Sequence, residues 1–216
     1  MKQFLKISSI LLLFVSQPGS AQIMNNRITG KLDQADGNKY AYLFIKKSGN
    51  DGDTLVRAPL TEGQFSLNAV YDLKGRLCAY ADVFYSADSS LTLDRVKQMY
   101  KSGYRDYRSI VLEDLQIETE SLQAIRVSKV NAGKLNREFD LYFAALANGT
   151  ELGFINDHPG SPISLLHLKA RQMLDTKTQL FFNEPPFDYV LWFSKLDPYL
   201  KTSVEGKEFQ KLINSK

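Results

Sequence analysis

The chain has 216 residues, with 27 Lys and Arg against 24 Asp and Glu, a formal net charge of +3 and a single cysteine. This near-balance excludes the concentrated basic surface that nucleic-acid binding requires. One thiol cannot form an internal disulfide, so stability has to come from packing, which a chain of this length can supply.

Residues 1–21 read as a secretory signal: Lys2 and Lys6 precede the short apolar run "ISSILLLFV", and Gly19 and Ala21 occupy the small-residue positions of a cleavage site. Cleavage after Ala21 makes Gln22 the mature N-terminus and places the protein in the periplasm or otherwise outside the cytoplasm. The apolar run is far shorter than the roughly 20 residues that span a bilayer, so no transmembrane anchor is expected. The leader carries two bases and no acid, which leaves 25 basic against 24 acidic side chains in the mature chain.

Residues 22–131 alternate with period two between turn clusters. "RITGKL", "YAYLFIKK", "TLVRAPLTEGQFSL", "RLCAYADVFY", "RSIVLEDLQI" and "LQAIRVSKV" read as strands, with a turn at Thr61–Gly63. The pattern predicts an antiparallel β-sandwich or barrel. Residues 132–216 change to helical period. Leu135, Phe139, Tyr142, Phe143 and Leu146 mark one face, and Asn148-Gly149 a stop. Ser161 is placed to cap a helix beginning at Pro162. "PPFDYVLWFSKL" and "VEGKEFQKLINSK" predict two more helices. The expected class is α+β, strands first and helices second.

In this order, "ITGKLDQADGNKYAYLFI", "DTLVRAPLTEGQFSL", "YRSIVLEDLQIE", "VSKVNAGKLNREFDLYF", "NDHPGSPISLLHL" and "FSKLDPYLKTSVEGKEFQKLI" resemble a domain of unknown function. That domain precedes the thioredoxin domain in TlpA/ResA-like disulfide reductases of bacterial envelopes. The resemblance implies an envelope protein. Reductase chemistry requires a low-pKa thiolate and a second, resolving cysteine; with one cysteine the sequence has no CxxC pair, so that activity does not carry over.

Cys78 is the redox candidate. In a strand it shares a face with Arg76, Tyr80, Asp82 and Phe84, opposite the apolar Leu77, Ala79, Ala81 and Val83. Ser161, His158 and Asp157 lie together in one loop as a hydrolase candidate, although a triad is normally assembled from separate elements. His167, four residues after Ile163, sits beside an apolar helix face. "NDGD" at 50–53 reads as a turn rather than a calcium loop, and the acids of "LEDLQIETE" as a solvated face. No metal, nucleotide or other cofactor motif is present. The binding candidate is "RVKQMYKSGYRDYRS", where Tyr100, Tyr104 and Tyr107 alternate with Arg105 and Arg108, a composition suited to an acidic glycan, a peptide or an envelope partner; the alternative is a covering segment with its charges in water. The expected function is a non-enzymatic, exported binding module, with a single-thiol redox accessory or an unrecognised hydrolase as alternatives.

Overall fold

The computed structural model describes residues 22–46, 52–178 and 187–215. The predicted leader, and Asn50 and Asp51 of the "NDGD" turn, lie outside the described residues. One four-stranded sheet contains β1 (Ile23–Gln34), β4 (Gln64–Asp72), β7 (Leu115–Ser121) and β8 (Lys129–Ala132), in the order β4-β1-β7-β8. A second contains β2 (Tyr40–Lys46), β3 (Thr54–Pro59), β5 (Tyr80–Ser86) and β6 (Arg108–Val111), in the order β3-β2-β5-β6. Neither sheet closes, so the barrel expectation is corrected.

The all-antiparallel expectation is corrected too, because β1 and β7 run parallel with Ile28 beside Leu115 and Gly30 beside Ile117. The whole second sheet is built between these two strands in sequence. A connection that long lets the chain return in the same direction, which a tight hairpin forbids.

Turn chemistry places the reversals that carry the chain from one sheet to the other. Glu62 and Gly63 both have positive φ (51° and 75°), and Gln64 N–H donates to Thr61 C=O at 2.8 Å. Two consecutive left-handed residues reverse the chain tightly, and here they carry it from β3 in one sheet to β4 in the other. Lys74 and Gly75 repeat the pair (48° and 75°), with Arg76 N–H donating to Leu73 C=O at 2.9 Å.

In β4 the buried Phe65, Leu67, Ala69 and Tyr71 alternate with exposed Gln64, Ser66, Asn68 and Val70. In β2 and β5 the alternation disappears, since five consecutive residues of each are buried. One face of each strand meets a core shared with the first sheet. The other is covered by α1 (Leu93–Lys101) and the residues after it, with Tyr100 5.1 Å from Phe44 and Tyr104 6.0 Å from Phe84 between ring centres. The mixed face predicted for Phe84 and Asp82 is therefore fully buried.

Two further strand expectations change. "RSIVLEDLQI" divides at Leu112–Asp114 into β6 and β7, which belong to different sheets, and "LQAIRVSKV" is a 3₁₀ turn over Leu122–Val127 followed by β8.

Helices then dominate: α2 (Lys134–Ala147), α3 (Glu151–Asp157), α4 (Pro162–Thr178), α5 (Tyr189–Ser194), α6 (Pro198–Thr202) and α7 (Val204–Asn214). Ile155, Leu165, Leu168, Tyr189, Phe193, Leu196, Leu200 and Phe209 make their core. A smaller cluster of Val111, Phe139, Phe154 and Ile163 joins it to the strands. On α2 the predicted apolar face is corrected: Phe143 and Leu146 are exposed, whereas Asn136 and Glu138 are buried beside Phe139. Among the described residues no helix is long and apolar enough to cross a membrane.

Candidate functional site

A cleft of about 250 Å³ opens where the strand half meets the helices. Its lining comes from the ends of β2 and β4, the turn at Leu73–Arg76, the approach to β5, α4 and α7. Ile45, Leu73, Ala79 and Leu166 supply its apolar surface, and Lys46, Lys74, Arg76, Lys169 and Glu205 its charges.

Glu205 is held from both sides. Ser203 caps α7 by accepting from Gly206 N–H at 3.0 Å, which starts the helix one residue ahead of the carboxylate. A negative side chain in a first helical turn is favoured by the helix dipole. Gly206 has to be glycine, because a Cβ there would lie 2.0 Å from the Leu200 carbonyl oxygen. From the strand half, Leu77 N–H donates to Glu205 Oε1 at 3.2 Å, and Arg76 Nη1 stands 3.8 Å from the same oxygen. The residue is 4% exposed, and among the described residues Oε2 has no hydrogen-bond partner.

At the rim, Arg76 and Lys169 converge on one exposed carboxylate. Arg76 Nη2 is 3.6 Å from Glu208 Oε1, beyond hydrogen-bond range, and Lys169 Nζ donates to Glu208 Oε2 at 2.9 Å. The Lys169 hydrogen bond holds the Glu208 carboxyl below its ordinary value. Sequence reasoning missed Glu205, Glu208 and Lys169. "SVEGKEF" carried only a helix-start signal, and nothing in it points to a partner at Arg76.

Cys78 lines this cleft, but not from a strand: β5 begins only at Tyr80. The thiol packs beside Tyr80 and Phe139 at the joining cluster. Burial pushes it up from 9.0 to about 12, opposed by a hydrogen bond with Tyr80 and reinforced by the Glu205 charge. At neutral pH it is a thiol, and only the thiolate is a good nucleophile. Arg76, two residues before the thiol, is directed to Glu205 and Glu208.

The tyrosine–arginine segment is largely tied down. Tyr100 and Tyr107 stack at 4.9 Å, Tyr104 lies against both, and all three are partly buried on the sheet. Lys46 sits over the Tyr100 and Tyr107 rings at 5.2 and 5.4 Å and pairs with the buried Asp82, which also accepts from the Ser109 hydroxyl at 2.6 Å. Arg108 pairs with Asp140 and donates to Arg126 C=O at 3.1 Å. Arg105 is exposed and donates to Tyr104 C=O at 2.8 Å. Tyr107 and Arg108 line a shallow groove with Val127 and Phe143, whereas Tyr100, Tyr104 and Arg105 do not line it.

The Ser161–His158–Asp157 grouping does not assemble as a relay. Ser161 Oγ donates to the buried Glu138 Oε2 at 2.7 Å and accepts from Ile163 N–H at 3.2 Å, the capping role expected of it. His158 Nδ1 is 3.8 Å from Glu138 Oε1, and its ring stacks on Phe154. A carboxylate therefore occupies the position from which an imidazole would have to deprotonate the serine. Two acids of "LEDLQIETE" also have structural partners. Glu113 accepts from Asn136 N–H and Asp114 from Arg27 N–H, at 2.8 and 2.7 Å. Among the described residues no group of three or more His, Cys, Asp or Glu side chains is placed to hold a metal ion.

His167 is buried in α4, with Nδ1 2.7 Å from the Tyr142 hydroxyl and Nε2 without a partner among the described residues. Burial lowers its pKa below 6.5, Glu151 works against the shift and Arg171 adds to it. The unfolded imidazole therefore binds a proton at a higher pH than the folded one. The stability supplied by the neutral ring is complete above pH 6.5 and declines as the pH falls below that value. His167→Gln, which keeps a partner for Tyr142, is expected to flatten the fall in melting temperature on acidification below that pH. Parallel melting curves for the two proteins would assign the acid sensitivity to other groups.

No protein family, curated protein or solved structure gives a match to this chain.

Proposed function

We propose that this chain is an exported, non-catalytic binding module of the bacterial envelope whose ligand sits in the cleft between the strand half and the helices. The observation that carries this reading is the pairing of a shielded thiol with an unsatisfied buried carboxylate in the same cleft. Cys78 is held protonated, while Glu205 Oε2 is buried without a donor. A buried charged oxygen is costly unless something donates to it. The cleft thus has a reason to hold a guest and lacks an activated nucleophile to react with one. Its lining also departs from the tyrosine–arginine segment, whose rings are spent on covering β2 and β5.

Two features support the envelope assignment: the leader-like residues 1–21, and the resemblance to the domain that precedes thioredoxin domains in envelope reductases. The two sheets are read as the faces of a sandwich, a reading supported by the one core to which both contribute. In native protein at mildly alkaline pH, iodoacetamide is expected to modify Cys78 far more slowly than in denaturant, and the chain is expected to turn over no dithiol substrate. Rapid native labelling, or dithiol turnover abolished by Cys78→Ser, would replace binding with the single-thiol redox alternative.

A further inference from the structure

The chemistry of the cleft narrows what it can hold. We propose that its ligand is a small amino carboxylate with more acidic than basic groups, such as an acidic amino acid or an acidic dipeptide; this inference rests on the binding reading above.

Four observations lead there. Glu205 Oε2 is a buried acceptor with no donor, and an ammonium satisfies such an oxygen better than a neutral group does, because charge-assisted hydrogen bonds are the stronger ones. Arg76 and Lys169 already converge on a carboxylate, that of Glu208, which is about half exposed. Exposed ion pairs contribute little and are easily exchanged, so Glu208 marks where a guest carboxylate binds and gives way to it. Of the lining cations, Lys46 is already paired with Asp82, whereas Arg76 and Lys169 both reach the exchangeable Glu208. Once Glu208 gives way, those two cations stand against the single carboxylate of Glu205, which favours a guest that is negative overall even though one of its groups faces Glu205. Finally, the cleft is smaller than the roughly 300–1,000 Å³ of pockets for drug-sized ligands. Its apolar wall of Ile45, Leu73, Ala79 and Leu166 suits a short aliphatic chain between the polar ends.

The guest therefore lies with its ammonium on Glu205, its carboxylate between Arg76 and Lys169, and its methylenes on the wall. Glu205 is the residue that distinguishes this arrangement from a general attraction of anions, and the exchange at the rim is tested at Glu208. Glu208 competes with the guest for the same two cations, so removing its charge should help binding.

Titration calorimetry of the purified mature chain tests this with L-glutamate, the dipeptide of two glutamates, glutarate (which lacks the amine) and 4-aminobutyrate (which lacks the α-carboxylate). L-Glutamate or the dipeptide is expected to bind saturably, and whichever binds more tightly identifies the free or the peptide form. Glutarate should bind at least about tenfold more weakly, the loss that follows from the missing charge-assisted contact at Glu205, whereas 4-aminobutyrate, which keeps both contacts but is not negative overall, should lose less than that relative to L-glutamate. Glu205→Gln, which keeps an acceptor for Leu77 N–H, should erase the preference for glutamate over glutarate. Arg76→Gln should weaken both, and Glu208→Gln should tighten glutamate binding severalfold.

Equal binding of glutamate and glutarate by the native chain overturns the assignment of the ammonium to Glu205. So does an unchanged preference in a folded Glu205→Gln variant. Weaker binding in Glu208→Gln overturns the exchange at the rim. If sugars, nucleotides or dicarboxylates occupy the cleft and amino carboxylates do not, the ligand class falls and the binding reading survives. Cys78-dependent dithiol turnover removes the binding reading itself.

Discussion

Asn136→Ala is expected to lower the stability of the folded chain by roughly 3 kcal/mol, since each buried backbone group left without a partner costs about 1–3 kcal/mol. For a chain of this size that corresponds to a fall in melting temperature of about 6–12 °C. Asn136 is buried in the first turn of α2, yet its amide behaves like a neighbouring strand. Oδ1 accepts from Val111 N–H at 2.9 Å, and Nδ2 donates to Val111 C=O at 2.7 Å. Val111 belongs to β6, the edge of its sheet, so these two groups would otherwise face α2 with no ladder partner. Nδ2 also donates to Glu113 Oε1 at 2.8 Å, an oxygen that receives the Asn136 N–H as well. The single amide thus closes a sheet edge and fixes the start of a helix. Glu113→Ala in the Asn136→Ala background should add less than it does alone, because the two residues form one network. Thermal melts of the four proteins measure this. Parent-like melting of Asn136→Ala would show that water replaces the amide at that edge.

Phe209→Ala is expected to cost about 3–5 kcal/mol, the usual range for emptying a fully buried aromatic site. Phe209 is completely buried, with Phe193 and Tyr189 edge-on to it at 5.5 and 6.2 Å between ring centres. These rings belong to the helical core, which is separate from the core of the two sheets. Trp192 packs against that helical core and is the only tryptophan in the sequence, so its fluorescence reports on this region. Urea unfolding followed at Trp192 should show a clearly lower midpoint in the variant. A midpoint within error of the parent would mean that the helices collapse into the cavity, the relaxation that reduces such penalties.

How much of this could be read from the amino acids differs by element. β4 shows the alternation of a half-buried strand and appears in the structure as such, whereas β7 is joined in the sequence pattern to β6, from which the fold separates it. Ser161 and Pro162 start α4 where their capping chemistry placed them. β5 was misjudged because its apolar and mixed faces are both buried, a consequence of α1 and three tyrosines lying on it from outside. Asn136, Glu138 and Glu205 would each be assigned to a solvated surface on residue type alone. Their burial depends on donors that come from other parts of the chain. The same holds for the site: the sequence drew attention to Cys78 and the tyrosine–arginine segment, while the carboxylate that shapes the cleft was passed over as one acid among many in a C-terminal helix.

By itself the sequence determined the change from strands to helices near residue 132, the turn at Thr61–Gly63 and the start of α4, because capping, turn chemistry and side-chain period act within a few residues of one another. The tertiary structure alone decided that β1 and β7 run parallel, that both faces of β2 and β5 are covered, and that Glu205 meets Leu77 across 128 residues of chain. The physical reason is that a buried polar group takes whichever partner the packed fold brings within hydrogen-bond range, and no local preference encodes that partner's position.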